Sequence, residues 1–414
     1  MRLSRSVFCL SLVLCAVAAC RGVLGIGDDN SGANDDDGGG GASEGGASAD
    51  GGVNDPQKDA AARDAGNDAG GDASIVLGDA GTVCTETTCT VQTFQQGLYG
   101  PVGVAVDLTH VYWIEVGLTI PQGDMYGQLS RLPKNSPCVM RNCYDTIDSN
   151  VTAGELEGQV VYDTRLALGQ NDVCYTQSYN ASPQHQIRCY RLAGMMPEYI
   201  PETAKGDVTD LVVTPARALW VQLSSSSVAT DGLVGVTSPD GGIPLLSGLL
   251  NPYSLTGDDT HVWFTEYGDG GPTGAVLTAG SDGGAQMISG GRVQPSSVKV
   301  YGGYAYWLEG GAQAVMRTLA DGSGPVEKVA STDLYPLRLV VDASGVYFAT
   351  VGAGKNELAG SVSHAPLTPG GTVTPMITNI DKVYDIAIDA TQLYVASVGT
   401  NLNAGKIVRI NKVH

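Results

Sequence analysis

One six-residue pattern recurs seven times in the last three hundred or so residues of this 414-residue chain, and it constrains the fold more than any other feature. It reads HVWFTE at His261 to Glu266. Its variants are HVYWIE from His110, DVCYTQ from Asp172, RALWVQ from Arg217, YAYWLE from Tyr304, GVYFAT from Gly345 and QLYVAS from Gln392. With the third residue of each as anchor (Tyr112, Cys174, Leu219, Trp263, Tyr306, Tyr347, Tyr394), successive copies lie 41 to 47 residues apart, with one interval of 62. That is the period of a four-stranded propeller blade. Helical solenoids share the period, but here β-branched and aromatic residues alternate in short runs broken by Gly, Pro and Asp, which is strand patterning.

The register extends beyond the anchors. Eight residues before them stand Val104, Leu166, Leu211, Leu255, Val298, Leu339 and Ile386, aliphatic in every copy, as an innermost strand requires. Seven before, the residues are small or β-branched (Ala105, Ala167, Val212, Thr256, Val340, Ala387) except Lys299. A third strand follows each anchor, as in GQLSRL from Gly127, GAVLTA from Gly274 and GKIVRI from Gly405. A fourth is expected at QVVYD from Gln159, PLLSG from Pro244 and TPMIT from Thr374. The seventh unit lacks one, and TVQTFQQ from Thr90 has no other home, so pairing it beside GKIVRI would close a ring of seven blades with no large unprotected edge. The expected fold is an all-β, seven-bladed β-propeller of four-stranded antiparallel blades over residues 84–414.

The first twenty residues have a basic start (Arg2, Arg5) and an apolar core from Val7 to Ala18, too short to span a bilayer and right for export. Val17-Ala18-Ala19-Cys20 resembles the lipobox of bacterial lipoproteins. That resemblance implies a signal peptide over 1–19, cleavage before Cys20, acylation of its thiol, and anchoring in the cell envelope at the outer membrane or cell surface. Residues 20–83 are Gly, Asp, Ala and Ser with almost no large apolar side chains, so they cannot bury enough surface to offset chain entropy and are expected to form a disordered tether. Thirteen acidic residues against three basic ones between Arg21 and Val83 account for half of the net charge of -20. The Asp runs lack the spacing of a calcium loop. No basic face exists for nucleic acid.

The YW and WFTE stretches look like repeats of the wider bacterial and extracellular propeller group, including YWTD-type propellers. HVWFTEYGDGG with GAVLTAGSDGG resembles a repeat of virginiamycin B lyase. The resemblance implies the architecture from about Thr90 to His414. The catalytic His and Glu pair of that magnesium-dependent family finds no match at numbered positions here, so the activity does not follow.

Six cysteines remain beyond the signal and Cys20: Cys84, Cys89, Cys138, Cys143, Cys174 and Cys189. An even number in an exported chain favours disulfides, and proximity suggests 84 with 89, 138 with 143, and 174 with 189. The last pair joins neighbouring strands of one blade, and the second sits in the long interval; a zinc site of two CxxxxC pairs is the alternative.

Propellers bind ligands where inner strands begin and second strands end. Nine residues before the anchors lie Gly103, Arg165, Asp210, Ser254, Ser297, Arg338 and Asp385, all small or polar. Arg165 with Asp210, and Arg338 with Asp385, fall on adjacent blades. They are expected either to pair with each other or to present guanidinium forks to a carboxylate or sugar acid. A second ring, three residues after the anchors, contains Glu115, Gln177, Gln222, Glu266, Glu309, Thr350 and Ser397. Glu266 and Glu309 are candidates for a shared calcium or magnesium ion, though bonds to loop amides are the simpler expectation, and no cofactor is assigned. His110 and His261 begin their strands and should lie at the opposite end from the glutamates, which disfavours a joint acid and base role. Asn150 and Asn180 head chance glycosylation-like sequons. The sequence therefore favours a monomeric, lipid-anchored binding module for a protein or glycan partner, with a metal-dependent lyase-like enzyme acting at the axial mouth as the alternative.

Overall fold

The computed structural model describes residues 91–412 apart from short stretches at 117–118, 121–122, 125–126, 137–142, 152–153, 157–158, 162–163, 179–184, 195, 205–206, 225–229, 239–240, 352–359 and 400–403. The expected signal, Cys20, the tether, Cys84, Cys89, Cys138 and Asn180 lie outside the described residues.

Seven four-stranded antiparallel sheets follow one another along the chain. Blades 1 to 7 begin with the inner strands Pro101–Val106, Leu166–Leu168, Val208–Val213, Pro252–Gly257, Pro295–Tyr301, Tyr335–Asp342 and Val383–Ile388. Blades 1 to 6 add their second, third and fourth strands in chain order. Blade 7 is completed by Val91–Leu98, which pairs antiparallel with Gly405–Asn411 from Val91 opposite Ile410 to Leu98 opposite Gly405. The ring thus closes as the repeat count requires. Arg409 reinforces the seam by donating from Nε and Nη2 to Gln92 Oε1 (2.9 and 2.7 Å), while Phe94 packs edge-on against Tyr394.

One strand differs from expectation. The fourth strand of blade 1 is Asp145–Val151, and Gln159–Val161 instead forms a small hairpin with Gly154–Leu156. Asp and Asn are poor strand formers, which hides DTIDSNV locally. Its Asp148 is held by the next blade, accepting from Tyr175 Oη at 2.6 Å, from Tyr190 Oη, and from Arg188 Nη1 at 3.0 Å.

The apolar core is divided among the seven junctions between blades. Because side chains alternate across a strand, neighbouring residues of each repeat serve opposite junctions. Tyr112 faces blade 2 while Trp113 faces blade 7; Tyr306 faces blade 6 while Trp307 faces blade 4. In HVWFTE, Val262 and Phe264 pack towards blade 3 and Trp263 towards blade 5. The aliphatic residue eight before each anchor faces the preceding blade in all seven copies. Full burial of such side chains contributes about 1.5–3 kcal/mol each, so adjacent blades stabilise one another strongly.

Cys174 and Cys189 stand directly opposite on the second and third strands of blade 2 and form the expected disulfide. Cys143 is also disulfide-bonded.

Candidate functional site

The polar ring nine residues before the anchors mostly links one blade to the next. Ser254 Oγ accepts the Val298 N–H at 3.1 Å, and Ser297 Oγ accepts that of Leu339 at 2.9 Å. Asp210 Oδ2 accepts from Leu255 N at 3.0 Å, and Asp385 Oδ2 from Val104 N at 3.1 Å. In each case the acceptor reaches the residue one place further along in the following blade. At Gly103 the approach is too close for any side chain: a Cβ would lie 2.8 Å from Leu166 Cβ.

The two expected ion pairs fare differently. Arg338 Nε lies 3.6 Å from Asp385 Oδ1. Arg165 instead donates through Nε to the Thr209 carbonyl at 2.7 Å and through Nη1 to the Thr164 carbonyl at 3.3 Å. Its neighbour Asp210 is drawn to the amides of Leu211 and Leu255. Backbone N–H groups of a buried inner strand need acceptors, and that demand takes the carboxylate away from the guanidinium.

Arg165, Asp210, Ser297, Lys299, Arg338 and Asp385 line one axial cavity of about 190 Å³, walled by apolar inner-strand residues. Burial, and after it the nearby Arg338, hold the Arg165 guanidinium below its ordinary range. Burial pushes the Asp385 carboxyl up, against the opposing pull of Arg338 and the Val104 and Ile386 amides.

The second ring ties loops to strand ends. Glu115 accepts from Tyr99 N at 2.7 Å, Gln128 Nε2 at 2.7 Å and Trp113 Nε1 at 3.2 Å. Glu266 Oε1 accepts from Leu250 N at 3.0 Å, and Glu309 Oε1 from Val293 N at 3.3 Å, with Arg292 Nη1 3.6 Å from its other oxygen. All three reach the residue sixteen places earlier, in the connection that enters their own blade. Ser397 repeats the device by donating to the Asp381 carbonyl. Thr350 Oγ1 and Ser361 Oγ share a bond of 2.7 Å. The Gln177 side chain lies outside the described residues. Among the described residues no group of three His, Cys, Asp or Glu is placed to hold a metal ion.

His110 and His261 begin second strands that end in Glu115 and Glu266. Each Nδ1 lies within hydrogen-bond distance of the preceding threonine hydroxyl, His110 with Thr109 at 2.8 Å and His261 with Thr260 at 2.9 Å. These histidines belong to turns at the far end from the glutamates.

Sequence inspection missed an aromatic cluster at the mouth. Tyr253 and Tyr267 pack with ring centroids 4.9 Å apart and their planes tilted by 41°, and Tyr267 Oη shares a bond of 2.9 Å with Tyr335 Oη, spanning blades 4 to 6. The three stand at different offsets from their anchors, so the repeat alignment gave no sign of them.

No protein-family model matches the chain, and no curated protein matches it. Among solved structures it resembles virginiamycin B lyase from Staphylococcus aureus at 15% identity and a TM-score of 0.54, covering 78% of this chain and all of that one. It also resembles a streptogramin B lyase at 12% identity and a TM-score of 0.53, covering 79% and 98%. A catalytically inactive form of the S. aureus lyase with quinupristin gives 13% identity and a TM-score of 0.51, covering 78% and 100%. At such identities the likeness shows a shared propeller fold and nothing finer.

Proposed function

We propose that this chain is an exported propeller, lipid-anchored through Cys20 at the outer membrane or cell surface, that binds a glycan at its axial mouth. The observation that carries the reading is the tyrosine cluster of Tyr253, Tyr267 and Tyr335 at the end where inner strands begin, the same end as the polar ring. Sugar rings have apolar faces and polar edges, and the partly exposed rings of Tyr253 and Tyr335, backed by the buried Tyr267 and beside fixed polar groups, are complementary to both. Glu115, Glu266 and Glu309 are engaged with loop amides or neighbouring side chains, and His110 and His261 with turns, which favours a binding role over the lyase-like alternative.

The test uses the full-length chain and its Cys20→Ala variant, expressed in a bacterial host. The parent is expected in the membrane fraction and the variant in the soluble one, and both are expected to be retained by immobilised glycans. Retention only on protein ligands would replace the glycan. A melting temperature raised by magnesium, with the rise abolished by joint Glu266→Gln and Glu309→Gln substitution, would replace binding with metal-dependent catalysis.

A further inference from the structure

Three cations, Arg165, Lys299 and Arg338, line the axial cavity of a protein whose net charge is -20. Among the described residues two carboxylates line the cavity with them, and both are occupied. Asp210 accepts the N–H groups of Leu211 and Leu255, and Asp385 those of Ile386 and Val104. Each guanidinium uses Nε and Nη1 on protein acceptors, while neither Nη2 has a hydrogen-bond partner among the described residues. Lys299 Nζ has neither a hydrogen bond nor an ion pair among the described residues.

Lys299 is also where blade 5 departs from its siblings. In blades 1, 3, 4, 6 and 7 the ladder between first and second strands is interrupted within its first paired residues, as between Pro252 and Ser254. In blade 5 the interruption runs from Ser296 to Lys299. Within it Ser297 takes a φ of 50°, a left-handed conformation uncommon for a residue with a side chain. The other copies carry small or β-branched residues where Lys299 stands. A left-handed residue beside a half-buried cation that has no partner among the described residues leaves this point of the axis suited to an anionic partner.

We infer that the axial channel is a binding site for a small organic carboxylate, held by Lys299 together with the free edges of the Arg165 and Arg338 guanidinium groups. A carboxylate offers two oxygens and several acceptor directions, which match a guanidinium edge on one side and an ammonium on the other. Apolar neighbours such as Leu166, Leu211 and Leu339 keep the local dielectric low and strengthen the attraction. A cavity of about 190 Å³ is small beside ordinary ligand pockets of roughly 300–1,000 Å³, so it takes one acidic group rather than a whole oligosaccharide. The inference rests on the glycan reading of the mouth and deepens it: the sugar is a uronic acid that enters carboxylate first.

Calorimetric titration of the full-length chain with glucuronate, glucose, acetate and inorganic phosphate tests this, in the parent, in Lys299→Met and in Lys328→Met. Lys328 is exposed on the same blade and controls for lost charge. Glucuronate and acetate are expected to bind the parent. Lys299→Met should weaken both about tenfold or more, as loss of a charge-assisted hydrogen bond does, without lowering the melting temperature, while Lys328→Met leaves affinity unchanged. Unchanged affinity in Lys299→Met, or phosphate binding in preference to either carboxylate, would overturn the assignment. Equal binding of glucose and glucuronate would sink the carboxylate site and leave the glycan reading standing. Acetate binding without saccharide binding would do the reverse.

Discussion

At the scale of single residues, much of the polarity that a sequence reader assigns to ligands belongs to assembly. The ring from Gly103 to Asp385 is legible as polar because it keeps one offset from the anchors. Its bonding is not, because each acceptor serves an amide in the next blade, 42 to 45 residues away for Asp210, Ser254 and Ser297 and 281 away for Asp385, and only the fold brings the two together. Lys299 stands out in both views, as an exception to the repeat and as a cation without a partner among the described residues. Glu115 gives the clearest energetic case. It is buried, at 1% exposure, and accepts three hydrogen bonds, whereas Glu266 is only partly buried and has one donor from the loop. Glu115→Ala removes the acceptor of three donors, of which Gln128 Nε2 keeps Tyr144 Oη, and is expected to cost about 2–3 kcal/mol, against about 1 kcal/mol for Glu266→Ala. Urea denaturation of the two variants measures the contrast, and equal losses would count against the loop-anchoring role.

At the scale of elements, the turn between first and second strands is built alike in several blades. Asp107, Asp258 and Asp389 each accept from the backbone N–H two residues on and from the next one as well. Asp342 does the same for Ser344 and also meets Lys412 of blade 7. Burial alone would raise the Asp107 carboxyl, but the His110 and Thr109 amides outweigh it and hold it below its ordinary value, and Asp389 is likewise lowered against burial by Lys134 and its turn amides. A folded pKa below the unfolded one gives stability that is present above the unfolded value, near 4, and is lost as pH falls through the folded value. The urea midpoint is therefore expected to drop as pH falls below about 4, and joint Asp107→Asn and Asp389→Asn substitution, which keeps an acceptor but removes the titration, should flatten that drop. These turns were visible in the sequence only as strand breakers. The fourth strand of blade 1 was misplaced because Asp148 looks like a loop residue until Tyr175, Tyr190 and Arg188 of the next blade surround it. Elements dictated by local alternation were thus readable, and those dictated by a partner blade were not.

For the whole molecule, the division of the core among seven junctions means that no blade owns the surfaces that stabilise it. The count of seven was readable because it needs only a period and a leftover strand. Removing Lys406 to His414 takes away the partner of Val91–Leu98 together with Lys412, which bridges to Asp342 and to the Asp389 carbonyl. The truncated chain is expected to lose its cooperative thermal transition and become sensitive to limited proteolysis throughout. An unchanged melting profile would show that the ring does not depend on its seam. The seam also has a mechanical side. Everything N-terminal to Val91 is attached to the outermost strand of blade 7, so a pull on that part of the chain reaches the ring first through this one ladder. Tension along the strand would load its hydrogen bonds together, whereas tension across it would part them one at a time. The direction in which the chain is held therefore sets how much force the closed ring can bear.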